Sequence, residues 1–271
     1  MHCTPILTRA ALAALIAAPH LVSGCAPDLP LSAAPFPADD EARFEAALDA
    51  TFAAQGAPGA AMVVHLRGDD ARAWTGQRGA VSLSPSAAAV TEHTLFRTAS
   101  SAKTFIGALI LALHDEGRLS VNDPISDFTD MVPGGDSITL RMLMQHTSGV
   151  ANYTQSTTYR EAEIADPDHR FTYLAQRTGG GELLNGVAQA FGLATGGYGH
   201  GLVVASDDTL GVHLAGAGNG SGARTFVGYW PDHGVSFVVA VSAGDGSVPI
   251  VETLSATGPI LDALREVLAE P

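Results

Sequence analysis

The stretch Thr94-Leu95-Phe96-Arg97-Thr98-Ala99-Ser100-Ser101-Ala102-Lys103-Thr104-Phe105 leads into a run that stays almost wholly apolar as far as Leu113. The pattern predicts a helix that follows Thr98, stops at Gly117 and is buried on most sides. Residues three apart on a helix share a face, so Ser100 and Lys103 bring a hydroxyl and an amine together beside the helix N-terminus. Burial and the positive end of the helix dipole both disfavour an ammonium ion there, which suits Lys103 to accept the Ser100 proton. A Ser-x-x-Lys spacing alone is a weak signal. It is sharpened by composition: the chain carries 14 Lys and Arg residues, and Lys103 is the single lysine among them. Arginine does not lose its proton in a protein, so a lysine is needed where a neutral amine is needed.

Outward from this pair, the chain reads as one globular domain. Its 271 residues are 46% hydrophobic and 15% charged, which excludes a disordered chain. The net charge is −14 and the basic residues are scattered singly, so nucleic acid is not an expected partner. Asp39 and Asp40 are placed to cap a helix with Phe44, Leu48 and Phe52 on one face, ending near Gly56. Strand-like runs follow at 60–67 and 71–81, joined by Gly68-Asp69-Asp70, and again at 202–205, 224–230 and 235–241. Pro231-Asp232-His233-Gly234 makes a hairpin turn, and a helical pattern runs from Ile250 to Leu268.

The N-terminal segment carries Arg9, an apolar run from Ala10 to Ala18, and Leu21-Val22-Ser23-Gly24-Cys25. This pattern reads as a secretion signal too short to span a bilayer. The residues before Cys25 resemble a bacterial lipobox, which implies cleavage after Gly24 and lipidation of Cys25. The Pro, Ala and Ser-rich segment after it suits a tether. The expected organisation is a lipoprotein signal peptide at 1–24, a tether at 25–38, and a hydrolase domain at 39–271 with a helical lobe at about 105–195. The protein is then a monomer held on the periplasmic side of the envelope, at the outer membrane in a diderm cell, with the membrane as partner through Cys25. Cys3 leaves with the signal, so the mature chain has no pair for a disulfide.

The Thr94–Phe105 stretch closely resembles the nucleophile segment of class C β-lactamases, D-alanyl-D-alanine carboxypeptidases and related esterases, within the penicillin-binding-protein superfamily. Leu113-His114-Asp115-Glu116-Gly117-Arg118-Leu119-Ser120-Val121-Asn122-Asp123-Pro124 and Ile138-Thr139-Leu140-Arg141-Met142-Leu143-Met144-Gln145-His146-Thr147-Ser148-Gly149-Val150 are similar to the next two blocks of that family. The resemblance implies an α+β fold, an antiparallel sheet flanked by helices, with a helical lobe that is reduced here. It implies acyl transfer to Ser100 with Lys103 as base, on D-alanyl peptides, β-lactams or small esters, peptidoglycan-derived substrates among them.

Two family motifs have no secure counterpart. Ser120-Val121-Asn122 has the letters of the second, but belongs to the block after the nucleophile helix. Tyr173 resembles the approach to that motif, yet Ala175 stands where an asparagine is expected, so Tyr173 is a weak catalytic candidate. The third motif, a basic residue, any residue and glycine on an edge strand, aligns with Gly216-Ala217-Gly218-Asn219, so Gly216 replaces the cation. Gly218 and Asn219 are the expected substrate-binding residues, and the backbone N–H groups of Ser100 and Asn219 the expected oxyanion hole. His213 or His200 is left to supply the missing charge, and His146 is expected to be structural, at a helix start. With acylation retained and the proton-transfer motif lost, slow turnover is expected.

Other chemistries lack their signatures. No Gly-x-Ser-x-Gly pentapeptide, dinucleotide fingerprint, phosphate loop or metal-binding histidine cluster occurs, so neither a cofactor nor a metal is expected. The alternative from another class is a catalytically degenerate, lipid-anchored envelope binding protein that uses the inherited groove.

Overall fold

The computed structural model describes residues 33–150, 197–199, 201–207, 209–220, 222–242 and 258–269, with single helical positions at 157, 161 and 165. Cys25, Tyr173 and His200 lie outside the described residues, as do Tyr153, expected from the sequence to pack behind His146, the signal peptide and most of the tether.

Helix α1 spans Ala38–Gln55 and follows Pro37, whose φ of −52° suits helix entry. Asp39 and Asp40 do not cap it as expected. They lie inside the first turn with Glu41, where their charge complements the helix dipole, and Pro37 holds the cap position. Gly56 ends the helix in the left-handed conformation. Ordered contacts begin before Asp39: Ala34 bridges to Arg72, and Phe36 packs edge-on against Phe44 at 5.2 Å.

Strands β1 (Gly59–Leu66) and β2 (Arg72–Gly79) form the predicted hairpin. Beyond the nucleophile region lie helices α2 (Ala102–Asp115) and α3 (Leu140–Met144). Strands β3 (Gly197–Gly199), β4 (Leu202–Asp207), β5 (Gly211–Gly220), β6 (Ala223–Trp230) and β7 (Val235–Ser242) follow. Helix α4 (Gly258–Ala269) comes last. Among the described residues, seven strands make one sheet in the order β2-β1-β7-β6-β5-β4-β3, with every neighbouring pair antiparallel.

One face of the sheet carries the core. Met62, Val64, Trp74, Ala215, Ala217, Phe226, Trp230 and Phe237 pack there with Phe44 and Leu48 of α1 and Ile260 and Leu264 of α4. The alternation along β5 is strict. Ala215 and Ala217 belong to the core, while Gly216 and Gly218 face the turn that begins α2, on the opposite side.

Two expectations are corrected. Strand β5, which carries the third-motif alignment, is not an edge strand along its whole length, because β4 pairs with residues 211–215, while the motif residues 216–219 lie beyond that pairing. Helix α2 is not buried on most sides: Gly107 and Leu113 are its buried residues, while Phe105 is 64% and Ile106 55% exposed. An apolar sequence shows that a helix lacks a polar face, not that every face is covered.

Candidate active site

The site is built on a strained turn. Ala99 has φ of 45°, in the left-handed region that costs a non-glycine residue about 1–2 kcal/mol. Ala99–Ser101 form one turn of 3-10 helix before α2 starts at Ala102. Thr225 of β6 holds this turn from beneath. Its hydroxyl donates to the Thr98 carbonyl at 2.7 Å, so the buried Ser101 hydroxyl, 2.8 Å away, donates to Thr225 Oγ1. Gly218 lies against the same turn. A Cβ there would come 2.3 Å from Thr98 O, 2.5 Å from Thr225 Oγ1 and 3.0 Å from Ser100 N. Position 218 therefore requires glycine for close approach of two backbones, not for an unusual φ.

Within this frame Lys103 Nζ stands 2.9 Å from Ser100 Oγ. The lysine side chain is exposed as a whole, yet the protein packed around it still lowers the amine pKa by burial. The cause is desolvation, the first of the two effects expected at this position. A neutral Lys103 can take the serine proton across a normal hydrogen-bond distance, leaving the alkoxide as nucleophile.

Strand β5 lies beside the nucleophile turn. Its pairing with β4 stops at Ala215, opposite Val203, so residues 217–220 run on beside Ser100 with β6 as their paired neighbour. Asn219 lies opposite Arg224, whose guanidinium donates to Gln55 Oε1 at 2.5 Å, so both side chains are on the α1 side of the sheet. What Asn219 presents towards Ser100 is therefore backbone.

His213 cannot replace the cation missing at 216. It shares the core face with Ala215 and packs on Trp230, ring centroids 5.0 Å apart, with the sheet between it and Ser100. Position 216 is itself closed: a Cβ there would lie 2.4 Å from Thr104 Oγ1 and 3.2 Å from Val227 Cγ2. Ser120-Val121-Asn122 is structural, since Asn122 Oδ1 accepts from Arg141 Nε at 3.1 Å and Val121 is buried.

His146 does not start a helix as expected; it follows Gln145, the C-cap of α3, with φ of 56°. Its N–H donates to Leu143 O at 3.2 Å and the Thr147 N–H to Met142 O at 2.9 Å, the two bonds of a left-handed helix C-cap. Burial first, and the Lys103 charge second, lower its pKa from the ordinary histidine value.

Among the described residues no group of three or more His, Cys, Asp or Glu side chains could hold a metal ion. No described helix is long and apolar enough to cross a membrane.

The Beta-lactamase family model matches residues 43–178, half of the chain. The teichoic acid D-alanine hydrolase of Staphylococcus aureus is 32% identical over 75 residues, which cover 28% of this chain and 19% of that protein. The match thus spans less than a fifth of the relative's length. Two solved structures share the fold at 14% identity. The D-amino acid amidase from Ochrobactrum anthropi SV3, complexed with L-phenylalanine, has a TM-score of 0.62, covering 85% of this chain and 99% of the amidase. The β-lactamase/D-alanine carboxypeptidase from Yersinia pestis, complexed with citrate, has a TM-score of 0.58, covering 84% and 98%. With its Ser100 and Lys103 side chains paired on a turn pressed against an antiparallel sheet, the chain belongs to the β-lactamase family of serine hydrolases.

Proposed function

We propose that this protein is an acyl-transfer hydrolase that cleaves esters or amides of D-amino acids through a covalent intermediate on Ser100. The observation that carries this reading is the 2.9 Å approach of Lys103 Nζ to Ser100 Oγ. The lysine there is the single one in the chain, with its pKa lowered by burial. Lys103 takes the serine proton, Ser100 Oγ attacks the acyl carbonyl, and the Ser100 and Asn219 backbone N–H groups hold the oxyanion. Three relatives with D-amino-acid or D-alanine in their names support the substrate class. Because Gly216 offers no cation and Thr104 closes the space beside it, neutral esters and amides suit the site better than carboxylate-bearing β-lactams. We further propose that the body is tethered through a lipidated Cys25 on the periplasmic side of the cell envelope, at the outer membrane in a diderm cell.

The test is intact-protein mass spectrometry after mixing with p-nitrophenyl acetate. A wild-type adduct that is absent in Ser100→Ala and Lys103→Arg supports the reading, because guanidinium keeps the charge but cannot act as a base. Near-normal labelling of Lys103→Arg rules out Lys103 as the base. If the wild type shows neither adduct nor turnover, the hydrolytic reading gives way to a binding role for the groove.

A further inference from the structure

The first turn of α2 is held by more than the pairing of Ser100 with Lys103. Thr104 follows the base directly and, one helical turn beyond Ser100, lies on the same face as the nucleophile. A threonine inside a helix commonly returns its hydroxyl to the carbonyl one turn back. This one reaches to another element: Thr104 Oγ1 donates to the Gly201 carbonyl at 3.2 Å, and the Gly201 N–H donates to the Met144 carbonyl at 3.1 Å. Gly201 has φ of 80° and lies against the base itself, since a Cβ on it would be 2.4 Å from the Lys103 carbonyl oxygen and 3.5 Å from Thr104 N. The connection between β3 and β4 therefore packs on the backbone of Lys103, tied to α2 through the Thr104 hydroxyl and to the end of α3 through Met144. On the strand side, Thr104 Oγ1 fills the space beside Gly216, where a Cβ would lie 2.4 Å from it.

Resting on the acyl-transfer reading, we propose that Thr104 is the positioning residue of the catalytic base, its bond to Gly201 keeping Lys103 packed and aimed at Ser100. Thr104 acts through Lys103 and touches no reacting atom. The amine depends on that packing, because burial is what lowers its pKa. Without the Thr104 bond the β3–β4 connection loses its tie to the first turn of α2, water reaches the amine, and its pKa rises towards the ordinary lysine value. Lys103 is then an ammonium over more of the neutral range and cannot take the Ser100 proton. Neighbouring charge does not replace burial here. On the elements that meet this turn, His146 after α3 feels the Lys103 charge, and Arg141 of α3 is bonded to Asn122. His213 of β5 and Arg224 of β6 are on the opposite face of the sheet. Arg97, ahead of the turn, is exposed, while His114 and Asp115 end α2 and Asp207 ends β4 on the side away from Gly201.

The test uses the full chain with Thr104→Val, which keeps the branched shape and removes the donor, and Thr104→Ser, which keeps the donor. Lys103 is the single lysine, so protein carrying isotopically labelled lysine gives one side-chain NMR signal whose titration reads this amine directly. In Thr104→Val that titration is expected to move to higher pH. Acylation of Ser100 by p-nitrophenyl acetate at neutral pH is expected to slow by about ten- to a hundredfold, part of the hundred- to ten-thousand-fold that a positioned base contributes. The rate recovers at alkaline pH, the ester concentration that half-saturates acylation stays unchanged, and Thr104→Ser restores both the titration and the rate. Thermal melting checks folding, and Thr104→Ala, which suits a helix, is read in the same way where Thr104→Val does not fold. A folded donor-free variant with the wild-type titration and acylation profile overturns the proposal, as does a Thr104→Ser variant as impaired as Thr104→Val. A wild type that never acylates, while its Lys103 signal still answers to Thr104, overturns the acyl-transfer reading instead.

Discussion

Replacing Gly218 with alanine tests whether the close approach of β5 positions the nucleophile. The added Cβ would lie 2.3 Å from Thr98 O. An ordinary carbon–oxygen contact is about 3.3 Å or more, so the strand and the turn must separate by roughly 1 Å. The atoms in the way are backbone oxygen and nitrogen and the buried Thr225 hydroxyl, so no flexible side-chain end can swing aside. Separation stretches the 2.7 Å bond from Thr225 to Thr98 O, which braces Ala99 in its left-handed conformation. It also shifts Ser100 N, one of the oxyanion donors. A 1 Å misplacement of catalytic groups costs on the order of a hundredfold in rate. Overpacking costs about 1–3 kcal/mol in stability. The assay is the rate of Ser100 acylation by p-nitrophenyl acetate, with thermal melting alongside. Gly220→Ala serves as control, because its Cβ meets the Ala99 Cβ at 3.3 Å and no backbone atom of the turn. Gly218→Ala is expected to lose about two orders of magnitude in acylation while Gly220→Ala stays near wild type. Acylation of Gly218→Ala at the wild-type rate would refute the view that this contact sets the nucleophile's position.

Thr225→Val keeps the shape of the side chain but removes one of the donors to Thr98 O, which keeps the Ser101 N–H at 3.1 Å, and the acceptor for the buried Ser101 hydroxyl, leaving that hydroxyl unsatisfied. It should lower unfolding free energy by about 1–3 kcal/mol in denaturant titration and slow acylation; unchanged values for both would show that the brace is dispensable. Cys25→Ser should move the protein from the membrane fraction to the soluble fraction on cell fractionation, and unchanged membrane association rejects this cysteine as the anchor.

The fold was legible where a pattern answers to local physics. The β1–β2 hairpin, the α1 face built on Phe44 and Leu48, and the β6–β7 hairpin follow from periodicity and turn residues. Strand β5 did not announce itself in that way. Its sequence from Gly211 to Gly220 contains four glycines, which have poor strand propensity, and only the alignment of the third motif pointed to it. Those at 216 and 218 are there because the α2 turn presses on them, a tertiary fact with no periodic signature. In the same way, Ser100 and Lys103 were readable from spacing and from the scarcity of lysine. The joint between the end of α3 and the first turn of α2 was not, since it depends on a bond from Gly201 to Met144, 57 positions earlier in the chain.

The glycine at position 216 and the joint between α2 and α3 are mechanically connected. The sequence shows that position 216 lacks a basic residue. The structure shows that the space is not simply open, because Thr104 Oγ1 occupies the place where a side chain at 216 would begin. Thr104 holds that rotamer by donating to Gly201 O, and Gly201 in turn donates to Met144 at the end of α3. A lysine at 216 would force Thr104 to turn away, break its bond to Gly201 and loosen the clamp that joins the end of α3 to the first turn of α2. In this site, a side chain at 216 and the Gly201 joint compete for the space of the same hydroxyl.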